Sequence, residues 1–397
     1  MLAAVTITLA DLEVDPHPIL ARLLADEPVC RVASMDLWFV TRWDDVVFVC
    51  EHPELFSAAT EPSWLRSVLG ETMLTLDGAA HDRQYRAMRP AFAATTAAAA
   101  VRDDLSTLFD GLIDGFVAAG EAELVTEYAE PLANLSLAVA LGFRHIGWQD
   151  LARWCRGLCT AVANFENDPT KAAIGAQAQT ELATALEVEL AEPAGGLARF
   201  AAAGPDRDEI VNNVRLMISG GINEPRDGVA LVVMELLQRP ELLAAVRADS
   251  ALLRRVIEET FRYHSPVGTA TRQTTHDVTL SAVTIPQGEM VAAVLTAANR
   301  DPHRWPEPAR FDPNRRDGAH LASPWANIAA SVSGWVASKS ASASSGCSPG
   351  FPDCASQVTW RCGASSSAGP QPSGCDGIQA DENSAALQSG LMSSQGR

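Results

Sequence analysis

Val256-Ile-Glu-Glu-Thr-Phe-Arg-Tyr-His-Ser-Pro266 carries a carboxylate and a guanidinium three residues apart, Glu259 and Arg262, on a helix that Pro266 brings to a stop. At i, i+3 the two side chains meet on one helical face. Alone, such a pair reads as a surface ion pair. Here Thr269-Ala-Thr-Arg-Gln273, Ile285-Pro-Gln-Gly288 and Ala298-Asn-Arg-Asp-Pro-His-Arg-Trp-Pro-Glu-Pro-Ala-Arg-Phe-Asp-Pro-Asn-Arg315 follow in order. The last of these is rich in Pro and Arg, as suits a meandering loop.

Around this stretch lies a chain of 397 residues in which 49 acidic side chains face 30 Lys plus Arg, a formal net charge of −19. A surface this negative repels phosphate backbones and anionic lipid, which disfavours nucleic-acid binding. No run reaches about 18 apolar residues, and the start, Met1-Leu-Ala-Ala-Val-Thr-Ile-Thr, lacks a basic export leader, so the expectation is a soluble, cytoplasmic protein. The length allows two or three domains or one large single-core enzyme, and is ample for a deep, buried pocket. Cys30, Cys50, Cys155 and Cys159 are scattered, which fits a reducing compartment, while Cys347, Cys354, Cys362 and Cys375 crowd near the end.

Helix signals are dense in the body, as in the runs starting at Asp208 and Val229. Strand-like pieces are fewer: Leu37 to Thr41, Val278 to Leu280 and Val283 to Ile285. The expected fold class is therefore mainly α with small β-sheets over residues 1–322. From Ser323 the composition changes, with 18 Ser and seven charged residues among 75, and no apolar period persists. Such a segment cannot bury enough apolar area to offset its ordering entropy, so residues 323–397 read as a Ser-rich, disordered tail.

From about residue 15 to 322 the chain resembles the cytochrome P450 family of haem-thiolate monooxygenases in its soluble bacterial form. Trp38-Phe-Val-Thr-Arg-Trp-Asp-Asp-Val-Val47 and His52-Pro-Glu-Leu-Phe-Ser57 look like that family's first sheet and following helix. The resemblance implies that Glu259 and Arg262 join Arg315 of the meander in a structural lock on the proximal side. It implies haem b, with its iron, as cofactor, a ferredoxin or flavin-type reductase as partner, a small apolar substrate and a monomer. It also implies propionate contacts, because a buried porphyrin leaves two carboxylates in need of cationic or hydrogen-bonding partners. Arg272 matches the propionate-binding arginine, and His81 the histidine of the His-x-x-x-Arg element. There the chain departs from the pattern: Tyr85 stands at the +4 position and the arginine falls at Arg86. Without the family, His81 reads as a helix-start residue.

Met217-Ile-Ser-Gly-Gly-Ile-Asn-Glu-Pro-Arg-Asp-Gly228 resembles the family's distal Ala-Gly-x-Asp/Glu-Thr stretch, with Gly221 at its glycine. Asn223 then takes the place of the acid and Glu224 that of the threonine, which together deliver protons in the usual pattern. Glycines followed by Pro225 predict that the helix opens or kinks here. Glu224 could relay protons itself, especially with a pKa raised by burial. The alternative is a surface carboxylate on a kinked helix.

The family's chemistry depends on a cysteine thiolate on the haem iron, in Phe-x-x-Gly-x-x-x-Cys-x-Gly. Where that signature should begin the chain reads Ser323-Pro-Trp-Ala-Asn-Ile-Ala-Ala-Ser-Val332, so the axial cysteine is absent and the P450 fold is incomplete at its C-terminus. The genetic code exposes another layer. A codon built from the last base of one codon and the first two of the next must be GGC, glycine, across Trp325 and Ala326, and TAT or CAT, Tyr or His, across Asn327 and Ile328. Permitted codon choices add Phe at Ser323, Arg at Ala329, Cys at Ala330, Val or Leu at Ser331 and Gly at Val332. The hidden frame thus spells Phe-x-x-Gly-x-Tyr/His-Arg-Cys-Val/Leu-Gly. A one-base slip near Ala322 accounts for it, with residues 323–397 read out of frame. The rival is a real tail whose cysteines bind metal, but the steps from Cys347 to Cys354, Cys362 and Cys375 match no zinc pattern.

The resemblance implies insertion of one oxygen atom from dioxygen into an apolar molecule, with this exact chain inactive for want of the ligand loop. Two other classes stay open: a non-catalytic remnant that binds small molecules or partner chains, and a peroxide-using variant built on Asn223-Glu224-Pro225. Cys155 and Cys159, at i and i+4, read as a redox pair or, more simply, as buried structural thiols.

Overall fold

A computed structural model describes residues 7–92, 107–164, 167–249, 251–322 and 359–361. The disorder expected of residues 323–397 falls, apart from 359–361, outside the described residues.

The sheet is organised by Met290–Val294 (β8), whose five residues Met-Val-Ala-Ala-Val are all buried. Alternation sends Met290, Ala292 and Val294 to one face and Val291 and Ala293 to the other. The first face packs with Leu20, Leu23 and Leu24 of Pro16–Asp26 (α2), which follows Leu9–Val14 (α1). The second packs with Val46 and Val49 of Trp43–Glu51 (α3). A strand covered on both faces reads as a continuous apolar run, which is why β8 has no polar positions. Its neighbours complete the order β1-β2-β8-β5-β3: Val29–Val32 (β1), Leu37–Val40 (β2), Phe56–Ser57 (β3) and Thr269–Thr274 (β5). Trp38 pairs with Val291 in the parallel β2·β8 ladder, and Arg272 with Val291 in the antiparallel β5·β8 ladder. Val278–Leu280 (β6) and Val283–Ile285 (β7) form a separate hairpin, and Glu121–Glu123 (β4) pairs in parallel with Thr359–Arg361 (β9), the one described piece of the tail.

Helices make the other half. Trp64–Leu69 (α4) and Gly78–Met88 (α5) precede Glu130–Leu141 (α6), Trp148–Val162 (α7), Pro169–Ala191 (α8) and Gly195–Ala202 (α9). Arg207–Gln238 (α10) runs 32 residues, about 48 Å at 1.5 Å per residue. It starts at a capping box in which Asp206 accepts from the Glu209 N–H and the Glu209 side chain answers on the Asp206 N–H. Leu137, Leu141, Leu151, Leu158, Leu182, Val214 and Ile218 of α6, α7, α8 and α10 are all but fully buried together in the largest apolar cluster. Pro240–Ala248 (α11), Ala251–His264 (α12) and Leu295–Ala298 (α13) lead to the meander.

The structure brings Glu259, Arg262 and Arg315 together. Arg262 grips Glu259 with two bonds, Nε to Oε2 at 2.7 Å and Nη2 to Oε1 at 2.8 Å. It also donates to the carbonyls of Asn299, Pro308 and Arg310, at 2.8, 3.1 and 3.3 Å. Arg315 Nε and the Asp312 N–H both reach Glu259 Oε1, at 3.1 and 2.8 Å. Glu259 is 4% exposed and Arg262 2%, so this is a buried network rather than a surface pair. Trp305 lies over the Arg262 guanidinium at 5.5 Å and closes it from water. Losing one partner from such a pair leaves an uncompensated buried charge, a cost of about 3–5 kcal/mol.

Candidate functional site

The expected opening at Pro225 does not occur: α10 is helical from Arg207 to Gln238 with Pro225 inside it. Proline deprives only the Gly221 carbonyl of its helical donor, and neighbouring helices press on both sides of this turn. A Cβ added at Gly221 would meet Leu137 of α6 at 3.6 Å, and one at Gly228 would come within 2.8 Å of the Phe261 ring of α12. Helical structure thus continues through Pro225, where the local sequence alone suggests an opened turn.

Asn223 faces α7. Its Nδ2 donates to Cys159 Sγ at 3.6 Å, and Cys155 and Cys159, 3.9 Å apart, both point at the Ser219 carbonyl, at 3.9 and 4.0 Å. Each thiol is 2% exposed, and the Cys159 thiol is held well above its usual range by the Cys155 hydrogen bond and by burial. A buried, protonated thiol is a poor nucleophile, so the pair stands as structural sulfur packed against the distal turn.

Glu224 is no surface carboxylate. Its Oε2 is buried without a hydrogen-bond partner, and both carboxyl oxygens lie 3.7 Å from where a Gly220 Cβ would stand. Burial pushes the carboxyl up to about 8, against the pull of its own backbone N–H; Asp227 adds to the rise and Arg226 opposes it. Such a group holds a proton at neutral pH and can give it up near neutrality. Sequence reasoning missed Arg226 and Asp227. Arg226 is 3% exposed and its Nε meets Asp227 Oδ1 at 2.9 Å, which nothing in an Arg-Asp dipeptide foretells.

The candidate haem contacts fall on two elements. His81, Tyr85 and Arg86 share α5: the His81 ring stacks on Tyr85 at 5.9 Å, its Nδ1 lies 3.1 Å from Asp82 Oδ1, and Arg86 Nε donates to the Asp82 carbonyl at 3.1 Å. Arg272 is on β5, donates to the Thr271 carbonyl at 2.8 Å, and faces Cys50 of α3, whose thiol burial raises and Arg272 restrains. No hydrogen bond joins Arg272 to the α5 group among the described residues. The described cysteines are Cys30, Cys50, Cys155 and Cys159. Basic side chains suited to propionates are present, but the iron's thiolate ligand is not among the described residues, nor is any cluster of three His, Cys, Asp or Glu able to hold a metal.

No described helix is long and apolar enough to cross a membrane. The cytochrome P450 family model matches residues 202–319. Cytochrome P450 107B1 of Saccharopolyspora erythraea is 30% identical over 334 residues, covering 78% of this chain and 80% of that protein. The vitamin D(3) 25-hydroxylase of Pseudonocardia autotrophica is 31% identical over 317 residues, covering 76% and 77%. Among solved structures, CalO2 superposes with a TM-score of 0.74 at 27% identity, over 82% of this chain and 88% of that one. With the buried Glu259–Arg262–Arg315 lock and the distal turn in place, these matches make the chain a member of the cytochrome P450 family of haem-iron monooxygenases.

Proposed function

We propose that this polypeptide is the body of a P450 monooxygenase, residues 1–322, whose haem-ligand loop and final helix were replaced by out-of-frame translation after Ala322. The observation that carries it is the hidden codon series: a forced Gly and a forced Tyr or His fall at the right steps of the ligand signature. The family match, ending at residue 319, supports the same boundary. In the frame-restored protein haem supplies dioxygen activation. The chain's own residues take the other tasks: Arg272, His81, Tyr85 and Arg86 hold the propionates, Glu259, Arg262 and Arg315 brace the proximal side, and Glu224 carries the distal proton that the family's acid and threonine usually handle. Asn223 and Gly221 shape that turn. The substrate is a small apolar molecule and the electron donor a ferredoxin or flavin-type reductase, met by a cytoplasmic monomer. The chain as it stands binds haem weakly or not at all.

The test is the absorption spectrum of the reduced, carbon monoxide-bound protein. The chain should lack the thiolate-type band and the frame-restored version should show it. The band in the unaltered chain, or an unbroken frame on resequencing the DNA, sinks the proposal. One observation favours a second reading, a non-catalytic binding protein: among the described residues, the apolar cluster of α6, α7, α8 and α10 is assembled from residues between Leu65 and Ile222.

A further inference from the structure

Helix geometry sorts the charges around Glu224. Asp227, three residues on, lies on the same face of α10, as does Gly220, four residues back; Arg226, two residues on, starts from the other side. Arg226 nonetheless reaches round to Asp227, whose side chain is 19% exposed, and not to Glu224, whose Oε2 has no partner. From α7 the groups facing this turn are the Cys155 and Cys159 thiols, with Asn223 bonded to the second. The carboxyl therefore has a like charge on its own face and a buried guanidinium whose Nε is bonded to that like charge.

We propose that Asp227 is the positioning residue that keeps Glu224 loaded with its proton, by holding the Arg226 guanidinium to itself and setting a carboxylate one turn from the Glu224 oxygens. This rests on the proposal that Glu224 is the distal proton carrier, and names what regulates its load. Two carboxyls at i, i+3 away from bulk water repel more strongly than at an exposed helix surface, so the one without a cation takes the proton. In Asp227→Asn the like charge is gone, while the amide oxygen can still accept from Arg226 Nε, so the change is conservative in shape.

The experiment is infrared difference spectroscopy of the full chain across pH, following the carbonyl stretch of protonated carboxylic acids and assigning the Glu224 band by its loss in Glu224→Gln. The wild-type band should fade with a midpoint near 8. In Asp227→Asn the midpoint should fall by about one pH unit, a tenfold loss of proton affinity; Asp227→Glu, which keeps the charge, should titrate like wild type. An unchanged midpoint in Asp227→Asn overturns the proposal, as does a wild type with no Glu224 band at pH 6. Should Asp227→Asn fail to fold, Arg226→Lys provides the second arm: the ion pair survives and the midpoint should stay put, and a fall there counts equally against Asp227. The band reports the carboxyl with or without haem. The carrier role is judged separately, by the fraction of electrons reaching product in frame-restored Glu224→Gln, where unchanged coupling removes that role and leaves the infrared result standing.

Discussion

At the scale of one residue, Glu224 is a stability liability whose sign can be worked out. Its carboxyl titrates near 4.5 when exposed and near 8 in the fold. Between those values the native state holds a proton that the unfolded chain has released, so stability falls as pH rises through this window and the loss is complete above 8. Each unit of difference is worth about 1.4 kcal/mol, which makes the penalty a few kcal/mol at most. Glu224→Gln removes the titration and keeps the shape. Its urea midpoint should exceed wild type at pH 8.5 and converge with it near pH 4.5. Parallel pH profiles for the two proteins would show that the carboxyl is not buried as described. A charged residue type at such a site, inside an otherwise close-packed turn, is the pattern expected where function competes with stability.

At the scale of elements, the α7–α8 contact depends on small residues. A Cβ at Gly175 would lie 2.3 Å from Ala161 Cβ, and one at Gly157 would lie 2.8 Å from Ala178 Cβ. Helix propensity alone favours Gly175→Ala by about 1 kcal/mol. Overpacking opposes it by about 1–3 kcal/mol, because α7 and α8 are held by the packing of Leu158, Leu182 and Leu186 and cannot part freely. Gly175→Ala should therefore lower the denaturation midpoint, and adding Ala161→Gly should recover most of the loss. A stabilised single variant would mean the helices yield. The same comparison of local and global terms explains what could be read from sequence. The hairpin β6–β7, β2 and the long α10 were legible because alternation and helical period are local signals. The pairing of Glu259 with Arg262 was legible at i, i+3, but its burial was not, since alone such a pair reads as a surface one. The central strand β8 did not, since Met-Val-Ala-Ala-Val has no alternation to read until both faces are known to be covered. The opening expected at Pro225 failed for the same reason: Leu137 and Phe261, which pack against this stretch, come from α6 and α12, far away in sequence.

At the scale of the whole molecule, the charge and the tail separate cleanly. Four acids and three bases lie beyond Ala322, so the body keeps 27 − 45 = −18 of the −19, and its acidic character does not depend on the tail. What depends on the tail is the cofactor. A ligand that binds only the native state stabilises it by RT ln(1 + [L]/Kd), about 2.7 kcal/mol at a hundredfold excess over Kd. A protein with a haem-ligating thiolate restored after Ala322 should therefore melt at a temperature that climbs with added haem. The present chain has the brace of Glu259, Arg262 and Arg315 and the basic side chains of α5 and β5, but its described residues offer the iron no thiolate. The propionate contacts proposed for them would be charge-assisted hydrogen bonds at partly exposed sites, too weak alone to sustain a tight complex. Thermal unfolding followed by circular dichroism should thus give a midpoint indifferent to haem for this chain and a rising one for the frame-restored chain. A rising midpoint in both would place an iron ligand elsewhere in the body. An indifferent midpoint in both would mean that restoring the frame does not rebuild the site, and would count against the slip near Ala322 without any appeal to catalysis.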